Sequence, residues 1–434
     1  MSPGGRRYLT GVDWAVNALD YSTKQRTGHG NSSQVLMILR DRLPESRLAE
    51  VLDRLAREYP VIAGRSARAW NLCPYWRVRA KKNQRPQLMV KHFEQYDFDR
   101  IMAESEAWVN QDFSSPRQHL RFCLMQAGEQ RSCLALHFDH RLLDAFGAEL
   151  MLELLARMDN GTDGEVVRRT NLTEPMRLGG WRRRFRAGRR INRRRVELIR
   201  GGFATLPAAS GKPTRFQVLS FNPRQTAQII DTAYREAGYL LLLPSLLARV
   251  TAAFDQLFGA RGLKPDNYVV PITVVQRPPK TSWETLFFNH LSFLFLQIPA
   301  AAVGDRRRLV DIVRSQLYQQ TRDRMAEHIV DAAMLTRIAP LPVLHWLSAT
   351  TLGRMTGSFY FSCLKQTAFS QPEFLGAQVE NIIHTPHMPM PPGLGVTMNL
   401  FQDRLNLTLS CGQGILHGQE EQTLINNLRQ SFLF

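Results

Sequence analysis

Asp139-His140-Arg141-Leu142-Leu143-Asp144 joins a strand-like run to a helix-like run, and the fold of the whole chain turns on it. Upstream, Cys133, Ala135, His137 and Asp139 alternate with Leu134, Leu136, Phe138 and His140, the two-residue period of a strand. Downstream, Ala145 to Met158 is a strongly apolar helical stretch. The turn therefore carries an imidazole and a carboxylate four positions apart where a strand ends. Such an imidazole is a candidate general base for acyl transfer. His140, sharing a face with Leu134, Leu136 and Phe138, is expected to face an apolar layer. Asp144 is placed to cap the next helix and to accept an ion pair that stiffens the turn. With 11 His and 19 Asp in 434 residues, chance supplies about half of one His-x-x-x-Asp match. A core histidine beside a capping aspartate also satisfies the spacing, so the flanking sequence has to decide.

A chain of 434 residues has room for two or three domain-sized units. Hydrophobic residues at 44% and charged residues at 22% are ordinary for a globular protein. No signal peptide is expected, because Met1-Ser2-Pro3-Gly4-Gly5-Arg6-Arg7 leads into polar sequence. The longest apolar stretch, Tyr239 to Ala248, is interrupted by Pro244 and too short to span a bilayer. Cys73, Cys123, Cys133, Cys363 and Cys411 are odd in number and lack metal-ligand spacing. They are expected to be reduced thiols in a cytoplasmic protein, with no bound metal.

The net charge of +18 is uneven: Arg168 to Arg200 holds 13 Arg against only Glu174 and Glu197. Such a segment suits an anionic membrane surface, a phosphorylated ligand or nothing more than a solvated linker. Nucleic acid is not expected, since no recognition motif accompanies the charge.

The first half alternates strands (near 34–39, 76–78, 87–93, 119–126 and 131–140) with helices at 44–59 and 145–158. Trp181 to Ile191 reads as a basic amphipathic helix weakened by Gly188. The second half restarts with a strand at 216–221 and helices at 223–236 and 246–258. Strands at 268–275 and 292–298, a long helical region at 306–338, four more strands and a helix at 418–433 follow. His384 and His387 fall in a Pro-rich stretch that reads as a turn. The divisions expected are an N-terminal lobe at 1–165, a basic crossover at 166–213 and a C-terminal lobe at 214–434.

Phe138-Asp139-His140-Arg141-Leu142-Leu143-Asp144-Ala145-Phe146-Gly147 resembles the His-x-x-x-Asp-Gly motif of the chloramphenicol acetyltransferase-like superfamily. The likeness is greatest to condensation domains and to wax ester synthase/diacylglycerol acyltransferase-like members. Tyr59-Pro60-Val61-Ile62-Ala63-Gly64-Arg65 is similar to the segment after the first helix of such proteins. Pro271 to Pro278, Asn289 to Phe295, Phe361 to Leu364 and Gly376 to Val379 match later segments in order. Two positions depart from the pattern: Asp139 replaces a His, and Ala145 replaces the Gly after the aspartate.

The resemblance implies an α+β fold, a two-lobed pseudo-dimer of mixed-sheet lobes around a central channel. It implies a thioester-dependent acyltransferase, with acyl-CoA or an acyl carrier thioester as co-substrate and no permanently bound cofactor. His140 would be the base and Asp144 the organiser of the loop, with Arg65 as the salt-bridge partner of Asp144. Ser362, Asn289 and Ser292 are the implied oxyanion or channel residues. The acceptor would be a hydroxyl or amine, hydrophobic or lipid, and the segment from Arg168 to Arg200 would touch an anionic membrane. A two-lobed chain can complete its own site as a monomer. An inactive condensation-like binding protein, or a free-standing condensation enzyme on carrier-bound substrates, is the alternative.

Overall fold

A computed structural model describes residues 6–28, 30–78, 85–128, 130–164, 180–207, 213–277, 283, 286–347 and 357–433. The N-terminal half runs β1 (Arg6–Tyr8), α1 (Gly11–Thr27), β2 (Ser32–Leu39), α2 (Glu45–Glu58), β3 (Arg65–Arg68), β4 (Pro74–Arg77), β5 (Gln87–Phe93), α3 (Phe98–Val109), β6 (Leu120–Ala127), β7 (Arg131–Asp139) and α4 (Ala145–Asp159). Then come α5 (Trp181–Arg200), β8 (Thr214–Ser220), α6 (Pro223–Ala237), α7 (Leu242–Ala260), β9 (Asn267–Val275) and β10 (Leu291–Pro299). The chain continues through α8 (Arg306–Arg322), α9 (Met325–Thr336), α10 (Leu341–Leu347), β11 (Tyr360–Leu364), β12 (Glu373–Phe374), β13 (Ala377–Pro386), β14 (Leu394–Phe401), β15 (Arg404–Gly412) and α11 (Gly418–Leu433).

Two mixed six-stranded sheets form the two lobes. The first is ordered β12-β13-β2-β7-β6-β5 and the second β10-β9-β11-β14-β15-β8, with β1-β4-β3 as a small third sheet. The alternation in β7 works as its residues dictate. Leu134, Leu136 and Phe138 enter the core shared with α2 and α4. Cys133 and Ala135 enter a second core with Ile101 and Trp108 of α3. The expected α+β two-lobed architecture is what the chain adopts.

Four differences from the sequence reading have physical causes. The C-terminal half does not stay in its own lobe: β13 pairs antiparallel with β2, from Val379 opposite Leu39 to Pro386 opposite Ser33. This covers an edge of the first sheet that would otherwise offer unpaired backbone groups. The expected 214–434 unit thus lends β12 and β13 to the first sheet, while β14 and β15 return to the second. His384, read as part of a turn, lies inside β13 and is buried. Its Nε2 sits 2.6 Å from Glu149 Oε1, a buried carboxylate on α4. The long helical region breaks at Arg324, which adopts a left-handed backbone (φ 53°) between α8 and α9. Finally, α1 was not anticipated, because its buried residues include Asp13, Asn17, Asp20, Thr23 and Thr27 in place of an apolar stripe.

Candidate active site at the lobe junction

The strand β7 ends at Asp139, opposite Ser32 of β2. The chain then folds tightly, with Leu142 N–H and Leu143 N–H both donating to the Asp139 carbonyl at 2.9 and 3.3 Å. Leu142 and Leu143 are fully buried and act as the apolar anchor of the turn. Asp144 is extended (φ −90°, ψ 175°) and caps α4, its Oδ1 accepting from Gly147 N–H at 2.7 Å. Its Oδ2 accepts from His290 N–H at 3.0 Å. The Arg277 guanidinium completes the shell with an ion pair to Oδ1, both side chains being almost fully buried. Burial alone would push the Asp144 carboxyl up; the Arg277 charge and the two backbone donors outweigh it and hold the carboxyl below its ordinary value.

The partner of Asp144 is therefore Arg277 and not Arg65. Arg65 begins β3, where it is exposed and stands opposite Arg77 in the small sheet. Its segment reaches the turn through backbone instead. The His119 ring bridges the Gly64 carbonyl oxygen and Asp139 Oδ2, at 2.8 Å from each. Asp139 also accepts from Arg141, through the backbone N–H and the guanidinium Nε, both at 2.9 Å. Burial pushes the Asp139 carboxyl up, yet the Arg141 charge and the His119 and Arg141 hydrogen bonds bring it well below the carboxylate range. The aspartate that replaces the expected histidine is thus an anionic clasp beneath the turn.

His140 is half-buried, its ring 6.3 Å from that of Phe138. Its Nδ1 lies 3.1 Å from Asn289 Oδ1. The amide orientation of Asn289 follows from its other contacts. Asn289 Nδ2 faces two oxygens, the His140 carbonyl at 3.1 Å and Asp13 Oδ1 at 3.2 Å, so Oδ1 is left to accept. The His140 proton then sits on Nδ1, and Nε2 carries the basic lone pair. Asn289 is itself held by Asp13, whose Oδ1 accepts Asn289 N–H at 2.8 Å. The other Asp13 oxygen accepts from Thr10 N–H and Oγ1, both at 2.8 Å, in the capping box of α1. One buried carboxylate thus starts a helix and fixes the residue that orients His140.

These contacts reassign two of the three expected oxyanion residues. The side-chain amide of Asn289 is committed to His140 and Asp13. Ser292 is buried and its hydroxyl donates to the Ala326 carbonyl at 2.9 Å, facing α9 and away from the turn. Ser362, on β11, is half-buried, with its hydroxyl 2.6 Å from Thr273 Oγ1.

Ala145 occupies the first position of α4, a helical conformation that needs no glycine. The glycine demanded by close approach is Gly147. A Cβ there would lie 2.9 Å from the Leu286 carbonyl oxygen, 3.2 Å from Asp144 Oδ1 and 3.3 Å from the Arg277 guanidinium. A cleft of about 360 Å³ opens on the Asp139–Arg141 side of the turn, with Lys24, Asn31, Asp112 and Phe113 among its walls. Among the described residues no His, Cys, Asp and Glu cluster has the makings of a metal site. No described helix is by itself long and apolar enough to cross a membrane.

Asp13 and Arg277 are the functional side chains that reading the residues alone did not pick out. Arg277 lies in the Pro271–Pro278 segment, but nothing local ties it to a turn 133 residues earlier. Both act at the seam where β7 and α4 of one lobe meet the segments flanking β9 and β10 of the other.

Two six-stranded mixed sheets, a strand lent across the seam and a His-x-x-x-Asp turn at the junction define the two-lobed chloramphenicol acetyltransferase-like fold. Solved structures with this fold align along almost the whole chain. Trichothecene 15-O-acetyltransferase from Fusarium sporotrichioides is 12% identical with a TM-score of 0.70, covering 99% of this chain and 96% of its own. The first condensation domain of the calcium-dependent antibiotic synthetase is 14% identical with a TM-score of 0.68, covering 100% and 96%. Polyketide synthase associated protein 5 from Mycobacterium tuberculosis is 14% identical with a TM-score of 0.63, covering 98% of each chain. No protein-family model matches the sequence, and no curated protein matches it in sequence.

Proposed function

We propose that this protein is an acyltransferase that moves an acyl group from a thioester, of coenzyme A or a carrier protein, to a hydroxyl or amine on a hydrophobic acceptor. The observation that carries this is the Asn289 contact, which holds the His140 proton on Nδ1 and leaves Nε2 as the base. The fold supports the reading, since a structural neighbour is an O-acetyltransferase and others are condensation domains. The reaction then runs as follows. His140 Nε2 takes the proton of the acceptor as its oxygen or nitrogen bonds to the thioester carbonyl carbon. The tetrahedral oxyanion collapses, the carbon–sulfur bond breaks, and the His140 proton passes to the departing thiolate. Asp144 takes no proton, because Arg277, His290 and Gly147 occupy its carboxylate. Ser362 is the remaining candidate donor to the oxyanion.

The test is acceptor-dependent release of free thiol from a panel of acyl-CoA and acyl carrier thioesters, with alcohols and amines of graded hydrophobicity. Thiol release that requires the acceptor is the expected result. Ser362→Ala should then lower kcat by roughly 10²–10³, the usual effect of removing one oxyanion donor. Binding of the thioesters with no release to any acceptor would leave a binding protein in place of an enzyme.

A further inference from the structure

The long basic helix α5 is set on the protein edgewise. Its inner face, with Ala187 and Leu198 buried, packs on α9, and Arg194 reaches the Phe295 carbonyl of the edge strand β10 at 3.4 Å. Asn267 Nδ2 donates to the Gly201 carbonyl at 2.7 Å and pins the far end. Two arginines on its flank are neutralised by the neighbouring helices and their connection: Arg183 meets Asp331 at 2.8 Å, and Arg190 reaches Asp323 at 4.0 Å. The outward row is different. Arg182, Arg186, Arg189, Arg193 and Arg200 are exposed, and none has a carboxylate partner among the described residues. Spacings of four, three, four and seven put them on one face over about 27 Å. Like charges at such spacing repel, so the row is at its lowest energy against an extended anion.

Apolar groups stand beside the row. Trp181 and Phe185, 45% and 60% exposed, flank its first turns. The β3–β4 hairpin tip carries Trp70 and Leu72, 91% and 52% exposed. That tip is docked at the same end of α5 through the residues that follow α9. Arg68 donates to the Ile338 carbonyl at 2.8 Å, and Arg337 donates to Cys73 Sγ at 3.1 Å. Asp331 in the second half of α9 meets Arg183 in the first turn of α5, which brings the residues that follow α9 to that end of the helix. Ile338 is itself exposed.

We infer that the outer face of α5 and the Trp70–Leu72 hairpin tip together form a docking surface for an anionic membrane. The arginine row faces lipid phosphates, while Trp181, Phe185, Trp70 and Leu72 enter the headgroup layer. An acidic soluble partner or a polynucleotide would account for the arginines but not for Leu72 and Ile338 held bare beside them. This surface goes beyond the acyl-transfer reading and is tested without turnover, so either can fail alone.

The full chain should be sedimented with vesicles of phosphatidylcholine and with vesicles mixing phosphatidylcholine and phosphatidylglycerol. Binding to the mixed vesicles at least about tenfold stronger is expected. The triple reversal Arg186→Glu, Arg189→Glu and Arg193→Glu should weaken that binding by about a hundredfold or more. Trp70→Ser with Leu72→Ser changes no charge and should weaken it by roughly tenfold. All five positions are exposed, and unchanged thermal melting verifies each variant. Equal binding to both vesicle types overturns the proposal. So does an unaffected hairpin variant whose vesicle binding is abolished by a single-stranded oligonucleotide, which would make the row a polynucleotide site.

Discussion

Alanine at His140 is expected to lower kcat by roughly 10²–10⁴ while leaving the affinity for the thioester nearly unchanged. The magnitude follows from what the side chain alone can supply. Nε2 is the ring position free to take a proton, because Nδ1 is held by Asn289. Stability should fall by only about 1 kcal/mol, since a half-buried ring and one neutral hydrogen bond are removed. Asn289→Ala separates base from scaffold. The imidazole remains but loses the partner of Nδ1, and the His140 carbonyl loses the Nδ2 donor. A tenfold to hundredfold fall in kcat is expected, about what a misplacement near 1 Å costs. Steady-state kinetics with one donor and one acceptor decides both. Turnover unchanged in His140→Ala removes the base assignment, whatever Asn289→Ala does.

Arg277→Ala is expected to be the most damaging single change to stability, about 3–5 kcal/mol, because it strands a buried carboxylate. Asp144 is almost fully buried, and Arg277 is the cation beside it. The pH dependence carries the sign. A carboxyl held below its ordinary value stabilises the fold above the unfolded value near 4, and that contribution is lost as pH falls through the folded value. The gap between wild type and Arg277→Ala should therefore be widest near neutral pH and narrow as acid protonates Asp144, first in the variant and then, below the ordinary carboxylate range, in the wild type. Arg65→Ala, at an exposed position, should stay within about 0.5 kcal/mol of wild type. Urea unfolding of the three proteins at neutral and acid pH gives the answer. A larger loss for Arg65→Ala than for Arg277→Ala would return the ion pair to the residue the family resemblance favoured.

The contrast between those two arginines marks where sequence stops informing. The strand before His140 and the helix after Asp144 declare themselves through apolar spacing, and both form as expected. Most other elements of the two lobes are equally visible, since burial drives them and burial leaves a periodic trace. Helix α1 leaves no such trace: Asp13 and Asp20 are buried because they hold Asn289 and the Asn31–Arg141 side of the turn, so polar residues stand where a core stripe belongs. Arg277 is hidden for a different reason. A salt bridge between residues from different lobes depends on how the lobes meet, and no local pattern encodes that. Ala145 departs from the motif's glycine, yet helical backbone accommodates it, and the steric demand falls on Gly147.

Strand β13 has a consequence for synthesis of the chain. More than 300 residues separate β2 from the strand that covers its edge. At about 5–20 residues per second, the ribosome leaves that edge bare for tens of seconds. The first lobe cannot mature as it emerges; it waits, with an open sheet, until β13 has been made. A nascent chain stalled anywhere before β13 therefore presents a sticky template, and a polypeptide ended at the lobe boundary is expected to self-associate. The segment that seals the lobe also brings His384 to Glu149 on α4. The helix behind the His140 turn thus receives this polar partner only once β13 has been made and has paired with β2.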